Sequence, residues 1–416
     1  MSRVDAVARM EEWFVEVGGS HELVAAAEIL NEGIGLVATR DVRAGEVLVR
    51  TPRHVCLAAA DGPAWLRQTV GSAAGLTAAG AVACRVCDEL ALGEGSAFVP
   101  FFASLPTMED LSDVPALWPD GAELLAGSQS GRSRREILDR WQVEFDEANA
   151  RRATRGEPPY DWTVWCLAQT LVMSRGYNVP RFDYAVVPFV DLVNHADRPS
   201  AEVDFCDDAV RLVARRDVSR GEQVYATYSG GGTMDGLKML QAFGWLPDEV
   251  VAACSVDCVE ALRTRDAYAD AKIALMDAGA PGAGRVVVAG DDDVPRAARA
   301  ALVGFRLAAM TEDELAATAD AADASPWYLG YPVSDANERR ARDSAIGLLK
   351  RKLQALDAEE PRRRRAAVVS ASRRRADLAA ATVLGERRAL RALVDWFVAY
   401  NPSGAAAASS PSYGTS

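Results

Sequence analysis

The chain has 416 residues, 49% of them apolar, 25% charged and 7% aromatic, a length for two domains of ordinary size or one large and one small. With 46 basic residues against 59 acidic ones the net charge is −13, which repels DNA and anionic membranes before any specific contact forms, so neither is an expected partner. Three histidines, His21, His54 and His195, are too few for a multi-histidine metal site, no run of 18 apolar residues offers a membrane span, and Asp5, Glu11 and Glu12 stand where a secretory leader needs its apolar core.

Val7, Met10, Phe14 and Val17 recur at three- and four-residue spacing, and residues 3–30 read as two short amphipathic segments of helical period. Residues 34–57 then alternate β-formers about the turn Arg43-Ala44-Gly45-Glu46. Nearly the same phrase returns later, LVARRDVSRGEQVYA beginning at Leu212, displaced by 176 residues from its counterpart at Leu36. Solenoid repeats recur every 20 to 50 residues. A single distant recurrence instead marks two similar strand-turn-strand units of one β-domain, with a helical insert at about 60–165 between them. Within the insert, 81–92 reads as helix and 98–105 as an aromatic-rich approach to Pro106. Ser133 and Glu136 have the spacing of a capping box opening a helix through Phe145. Residues 150–162 break that helix and 162–174 begin another.

Beyond about 250 the β-texture fades. Thr311 and Glu314 form a second capping box, and 337–357 and 373–400 carry apolar residues at helical spacing, which predicts a helical second domain over 251–400. Residues 401–416, rich in Gly, Ala, Ser and Pro, read as a disordered tail. The run Arg362 to Arg365 follows Glu359 and Glu360 and reads as a solvated helix face. Seven cysteines include Cys84 with Cys87 and Cys254 with Cys258, neither pair in a Gly- or Pro-rich knuckle. They read as buried free thiols on helices in a reducing compartment, with no metal.

Four stretches could carry chemistry. NEGIGLVA at 31–38 satisfies G-x-G-x-x-A, but a β-hairpin follows it and not a helix, so no helix N-terminus awaits a pyrophosphate. Its glycines still let a ligand approach the backbone closely. MSRGY at 173–177 is the second. VVPFVDLVNHAD at 186–197 reads as an apolar β-run ending in Asp191, with Asn194 and His195 close behind. Three hydrogen-bonding side chains within five positions call for a ligand or a network. The fourth, ATYSGGGTMDGLKMLQAFGW at 226–245, is a strand ending in Tyr228, a glycine run and a helix to Gly244 and Trp245. It lacks the G-K-[ST] of a phosphate cradle.

In order and spacing these stretches resemble the SET-domain methyltransferases, in the subgroup like the Rubisco large-subunit lysine methyltransferase. E-G-I-G-L at 32–36, FVPFFASLP at 98–106, LLAG at 124–127, S-R at 174–175 and D-L-V-N-H at 191–195 carry the resemblance with the Tyr228-to-Trp245 stretch. DAYADAKIALMDAG (266–279) and ALVGFRLAAMTEDEL (301–315) resemble the subgroup's substrate-binding domain. The resemblance implies an α+β fold: a β-rich SET core over 1–250 with its inserted helical subdomain, then an all-helical substrate-binding domain.

It also implies S-adenosyl-L-methionine as cofactor. Glu32 and Ile34 would line the cofactor pocket, Arg175 would grip the methionine carboxylate, Asn194 and His195 would bond the amino-acid and adenine ends, and Trp245, where Phe is usual, would stack on adenine. Tyr177, Asp191 and Phe243 would line a substrate channel meeting the methyl group at Tyr228. The implied substrate is a lysine of a non-histone protein, with a histidine or N-terminal amine acceptor, or a catalytically inactive binding module, as alternatives. Tyr177 stands at a position that is aromatic in the lysine enzymes. A lysine amine has a pKa of about 10.4, which an apolar channel and a nearby sulfonium charge depress, so Tyr228 is assigned an orienting and electrostatic role rather than that of a base. Two departures stand out: the S-G-G-G loop after Tyr228 is about two residues longer than usual, and Phe243 replaces a common Tyr, which predicts a dimethyl or trimethyl product. A monomer in the cytoplasm or nucleus is expected, with a plastid also open.

Overall fold

In the computed structural model the residues described are 3–30, 32–69, 75–180, 183–228, 236–246, 254–262, 268–279, 285–288, 290–320 and 332–401. The chain divides into two compact units, one of residues 1–117, 135–234 and 242–244, the other of 118–134, 235–241 and 245–416.

Among its described residues the first unit holds ten short strands: β1 (Val24–Ile29), β2 (Gly33–Ala38), β3 (Val47–Pro52), β4 (Leu57–Ala58), β5 (Gly176–Val179), β6 (Asp183–Val186), β7 (Asn194–His195), β8 (Ala201–Phe205), β9 (Ala209–Ala214) and β10 (Gln223–Ala226). They form three sheets, β1-β2-β10-β7, β3-β9-β8 and β4-β6-β5. Every pairing is antiparallel except β7 with β10.

The repeated phrase explains this layout. Val42 and Val218 exchange both of their backbone hydrogen bonds. The Ala44 N–H donates to the Asp217 carboxylate while the Arg220 N–H donates to that of Asp41. Arg40 pairs with Glu46 and Arg216 with Glu222. Gly45 donates to the Ala214 carbonyl and Gly221 to that of Ala38. Each bond therefore has a twin 176 residues on, and the two turns satisfy one another about a local twofold. The clasp sets β2 against β10 and β3 against β9.

The first N-terminal segment is helical (Arg3–Glu16), with Met10 and Phe14 wholly buried. The second is strand β1. Its alanines favour helix, but it pairs with β2 along six positions, from Val24 with Ala38 to Ile29 with Gly33, and tertiary pairing outweighs a preference of tenths of a kcal/mol per residue. The insert helices Ala78–Leu92 and Trp162–Arg175 are capped by Thr77 and Asp161. The helix predicted to open at Ser133 opens at Gln129. Its cap is Ser128, whose hydroxyl oxygen accepts from the Gly131 N–H at 3.0 Å, so Ser133 and Glu136 lie inside it.

Among its described residues the second unit is helical apart from one antiparallel pair, β11 (Cys254–Asp257) with β12 (Arg285–Val288). Its long helices are Val294–Ala308, Asp335–Ala358 and Arg373–Ala399, packed about Phe305, Leu349 and Phe397. The Thr311–Glu314 box forms, each residue bonding the other's N–H. Residues 118–134 belong to this unit, because Leu124 and Leu125 pack with Leu240, Ala366, Ala376 and Ala379. Two sequence expectations need correcting. Cys254 and Cys258 are buried thiols, but on a strand and a short 3-10 turn rather than helices. Arg363 is buried and donates to the carbonyls of Ala126 and Leu356, so the arginine run is not wholly a solvated face. Among the described residues no group of three His, Cys, Asp or Glu could hold a metal ion, and no helix is long and apolar enough to cross a membrane. The tail predicted over 401–416 lies outside the described residues beyond Asn401.

Candidate functional site

The parallel pairing of β7 with β10 puts Asn194 opposite Tyr225 and His195 opposite Ala226, and β2 runs along the other edge of β10. Side chains from β7 and β10 meet at Glu32, which stands just before β2. Its carboxylate accepts from Gln223 Nε2 at 2.9 Å, the Tyr225 hydroxyl at 3.3 Å and Asn194 Nδ2 at 3.4 Å. The cluster depends on Gly35: a Cβ there would stand 2.8 Å from Asn194 Nδ2 and 2.9 Å from Gln223 Nε2. Ile34, beside it on β2, is half-buried against the core.

Beyond β7 and β10 an aromatic wall begins. The Tyr228 ring centroid lies 5.2 Å from that of His195 and 4.8 Å from that of Phe243. Phe243 is held by Gly244, whose φ of 73° and distance of 2.6 Å from a hypothetical Cβ to the Asp113 carbonyl carbon admit no side chain. The Tyr228 N–H donates to His195 Nδ1 at 3.1 Å, which makes the neutral imidazole an Nε2–H tautomer. That buried Nε2 makes no hydrogen bond among the described residues; the Asp197 carboxylate is 3.5 Å away. Burial lowers the His195 pKa below its ordinary value, with Asp197 opposing, so the ring is neutral at pH 7 and its one N–H is a buried donor.

The Tyr228 hydroxyl donates to the Val193 carbonyl at 2.8 Å, and burial pushes its pKa up to about 12. Tyr177, on β5, is half-buried and its pKa likewise raised by desolvation, its hydroxyl 3.4 Å from the Val190 carbonyl. Both hydroxyls are protonated across the neutral range.

Behind the wall lies an ion pair. Arg175 Nη1 donates to Asp191 Oδ2 at 2.8 Å and to the Asp191 carbonyl at 3.0 Å. The Asp191 side chain is fully buried, and burial raises its pKa against the pull of Arg175. Arg175 Nε and Asp191 Oδ1 are buried without a hydrogen-bond partner among the described residues. The segment before Asp191 is not the predicted β-run. It turns at Phe189, the one described non-glycine residue with positive φ (72°), into the 3-10 turn Val190–Leu192. Such a conformation persists only where packing over-determines it. Here Phe189 is wholly buried against Phe14 (4.8 Å between centroids) and His21 (4.3 Å), and Thr51 ties down the Pro188 carbonyl.

Of the residues singled out from sequence, Glu32 and Asn194 meet in the polar cluster, and His195, Tyr228 and Phe243 in the aromatic wall. Asp191, expected to line the channel, has its carboxylate enclosed on Arg175 behind the Phe189 turn. Arg175 in turn has one terminal nitrogen committed to Asp191. Trp245 belongs to the other compact unit, where it is half-buried. The S-G-G-G loop lies outside the described residues. Sequence reading missed Gln223 and Tyr225, although the i, i+2 spacing of two polar groups on a strand placed them on one face.

A family model described as SET domain matches residues 33–229, and one described as Rubisco LSMT substrate-binding matches residues 263–390. The chain belongs to the SET-domain methyltransferase family. Within it, the second match places the chain in the subgroup that joins a SET domain to a substrate-binding domain of the Rubisco LSMT kind. An actin-histidine N-methyltransferase of Xenopus tropicalis is 26% identical over 246 residues, 54% of this chain and 41% of that protein. The N-lysine methyltransferase SETD6 of Mus musculus is 25% identical over 270 residues, 58% of this chain and 54% of its own. The chain thus spans about two fifths to one half of these curated relatives. The crystal structure of the SET domain of LSMT bound to lysine and AdoHcy shares the fold, with a TM-score of 0.70 at 19% identity over 96% of this chain and 92% of that one. Rubisco LSMT bound to AdoMet gives 0.67 at 19%, over 94% and 91%.

Proposed function

We propose that the chain is a protein N-methyltransferase that uses S-adenosyl-L-methionine and acts on a lysine side chain. The observation that carries the reading is the union of a polar cluster (Glu32, Asn194), the Nε2–H of neutral His195 that has no hydrogen-bond partner among the described residues and a half-buried aromatic wall at one end of β7 and β10. An amino acid joined to a nucleoside needs such a set: a carboxylate and an amide for its charged end, a ring N–H as donor to a heterocycle, and a glycine edge for close approach. Glu32, Asn194, His195 and the Gly35 backbone would hold it. When bound, the cofactor supplies a methyl group on a positively charged sulfur.

The protein's own part is alignment and exclusion of water. Tyr228, protonated at neutral pH and anchored to Val193, takes no proton from a substrate and serves as a fixed dipole. An acceptor amine must arrive deprotonated, which a wall of Tyr177, Tyr228 and Phe243 favours by penalising the ammonium form. Phe243 offers no hydroxyl to anchor a water or amine beside Tyr228, and a dimethyl or trimethyl product is expected.

The test is incubation with labelled S-adenosyl-L-methionine and a lysate, followed by mass spectrometry of the labelled residue. Nε-dimethyl- or trimethyllysine supports the reading. Methylhistidine would support the histidine alternative that the actin-histidine relatives favour, and strictly monomethylated lysine would remove the role given to Phe243.

A further inference from the structure

The second unit contains a cavity of about 150 Å³ that the proposed methyl transfer does not use. It lies between the helices Glu360–Val369 and Arg373–Ala399. Its floor is apolar and small-sided, with Ala367, Ala376, Ala379 and Val383, and the half-exposed Leu384 stands on its lip. Arg364 and Arg387 also border it.

The charge around this cleft opposes that of the whole chain. Between residues 359 and 391 there are ten arginines and four carboxylates, in a protein of net charge −13. The carboxylate inside the cleft is already saturated. Glu360 accepts from Arg363 at 3.0 Å, Arg364 at 2.9 Å and Arg387 at 2.9 Å, and these bonds hold its pKa down to about 2. Glu386, beside Arg387 on the second helix, is buried and accepts from the Gln129 N–H. The Arg364 side chain remains 79% exposed after its pairing. Arg387 also pairs with the Asp357 carboxylate at 3.0 Å, so an incoming group meets surplus positive charge chiefly at Arg364, beside an apolar hollow.

We propose that this cleft docks an acidic segment of the protein substrate, with one bulky aliphatic or aromatic side chain seated in the cavity. The volume suits a side chain the size of leucine or phenylalanine, and the guanidinium rim suits carboxylates on either side of it. Nucleic acid fits less well, because the residues lining the cavity include no aromatic ring on which a base could stack. Attribution of the segment to the substrate rests on the methyltransferase reading; the binding chemistry of the cleft does not.

The experiment uses the full chain and fluorescence anisotropy with labelled twelve-residue peptides of Asp and Glu carrying a central leucine, with alanine in its place, or with every acid replaced by lysine. The acidic leucine peptide is expected to bind about tenfold more tightly than its alanine version, the increment of a filled apolar pocket, and to weaken as salt is raised. The lysine peptide is expected not to bind. Ala380→Trp, at an exposed position on the cavity wall, is expected to abolish the preference for leucine. Arg364→Glu is expected to weaken both acidic peptides several-fold and flatten the salt dependence. Equal binding of the leucine and alanine peptides by the wild-type chain would overturn the proposal without recourse to any variant. So would a retained leucine preference in a folded Ala380→Trp, or displacement of the peptide by single-stranded oligonucleotide at lower concentration than by unlabelled peptide. Calorimetric titration with S-adenosyl-L-methionine reads the other unit separately: failure there would remove the methyltransferase reading and leave the peptide result standing.

Discussion

Removing the Asp191 carboxylate is the sharpest test of the site's interior. In Asp191→Ala the Arg175 guanidinium keeps its 3.0 Å bond to the residue-191 carbonyl but loses the 2.8 Å bond to the carboxylate, the one ion pair it makes among the described residues. The Arg175 side chain is 17% exposed and that of Asp191 is not exposed at all, so water replaces the lost partner poorly. An orphaned charge in such a place costs about 3–5 kcal/mol, against nearly nothing when both partners are replaced by apolar groups of similar volume. The expected order is therefore wild type and Arg175→Met/Asp191→Leu close together, Asp191→Asn lower by about 2 kcal/mol for one weakened charge-assisted bond, and Asp191→Ala lowest. Urea unfolding followed by fluorescence and circular dichroism reads the order, with the double-variant cycle isolating the coupling. A loss under about 1 kcal/mol in Asp191→Ala, or a double variant no better than the single one, would refute the view that this pair is a closed internal anchor.

Other predictions concern the two faces of the site. Tyr228→Phe is expected to cut methyl transfer by two or more orders of magnitude while cofactor affinity measured by calorimetry stays within a few-fold, since the cluster about Glu32 does not use the hydroxyl. Gly35→Ala places a methyl against Asn194 and Gln223, a repacking that costs about 1–3 kcal/mol, and is expected to weaken cofactor binding at least tenfold in the same titration; unchanged affinity would exclude the polar cluster from the cofactor pocket. His195, one of three histidines, should appear in nitrogen-detected NMR as an Nε2–H tautomer titrating below the ordinary value near 6.5. Because its folded pKa is depressed, the unfolded chain takes up the proton first, so the stability contributed by neutral His195 is present above about 6.5 and is lost as pH falls through the folded value.

What could be read from the amino acids followed from how local its cause was. The strand-turn-strand phrases were legible because turn chemistry and alternation act over a few residues. Residues 24–29 were not, because an alanine-rich stretch carries no mark of the strand that will pair with it. Ser128 was passed over for Ser133, since the cap was set by where the chain leaves Gly127 and not by a glutamate three positions on. D-L-V-N-H brought Asp191 near the site as its spacing implied, yet spacing is silent on direction, and the buried turn at Phe189 sends that carboxylate inward. Gln223 and Tyr225 were open to the same alternation argument that located β10, but their polarity alone resembled that of any edge strand.

The twofold clasp between the turns also explains which letters of the repeat match. At Arg40 and Arg216, Asp41 and Asp217, and Glu46 and Glu222 the side chain makes the contact; Val42 and Val218 are buried; Gly45 and Gly221 have φ of 87° and 82°. Within the turns the unmatched pairs, Arg43 with Ser219 and Ala44 with Arg220, enter the clasp through backbone groups. Just past the turns this economy ends: Val47 and Val49 of the first copy correspond to Gln223 and Tyr225 of the second. One copy thus serves as ballast while its twin holds the chemistry, and a graft of residues 40–46 onto 216–222 should be silent where a graft of 47–49 onto 223–225 should erase the cofactor pocket.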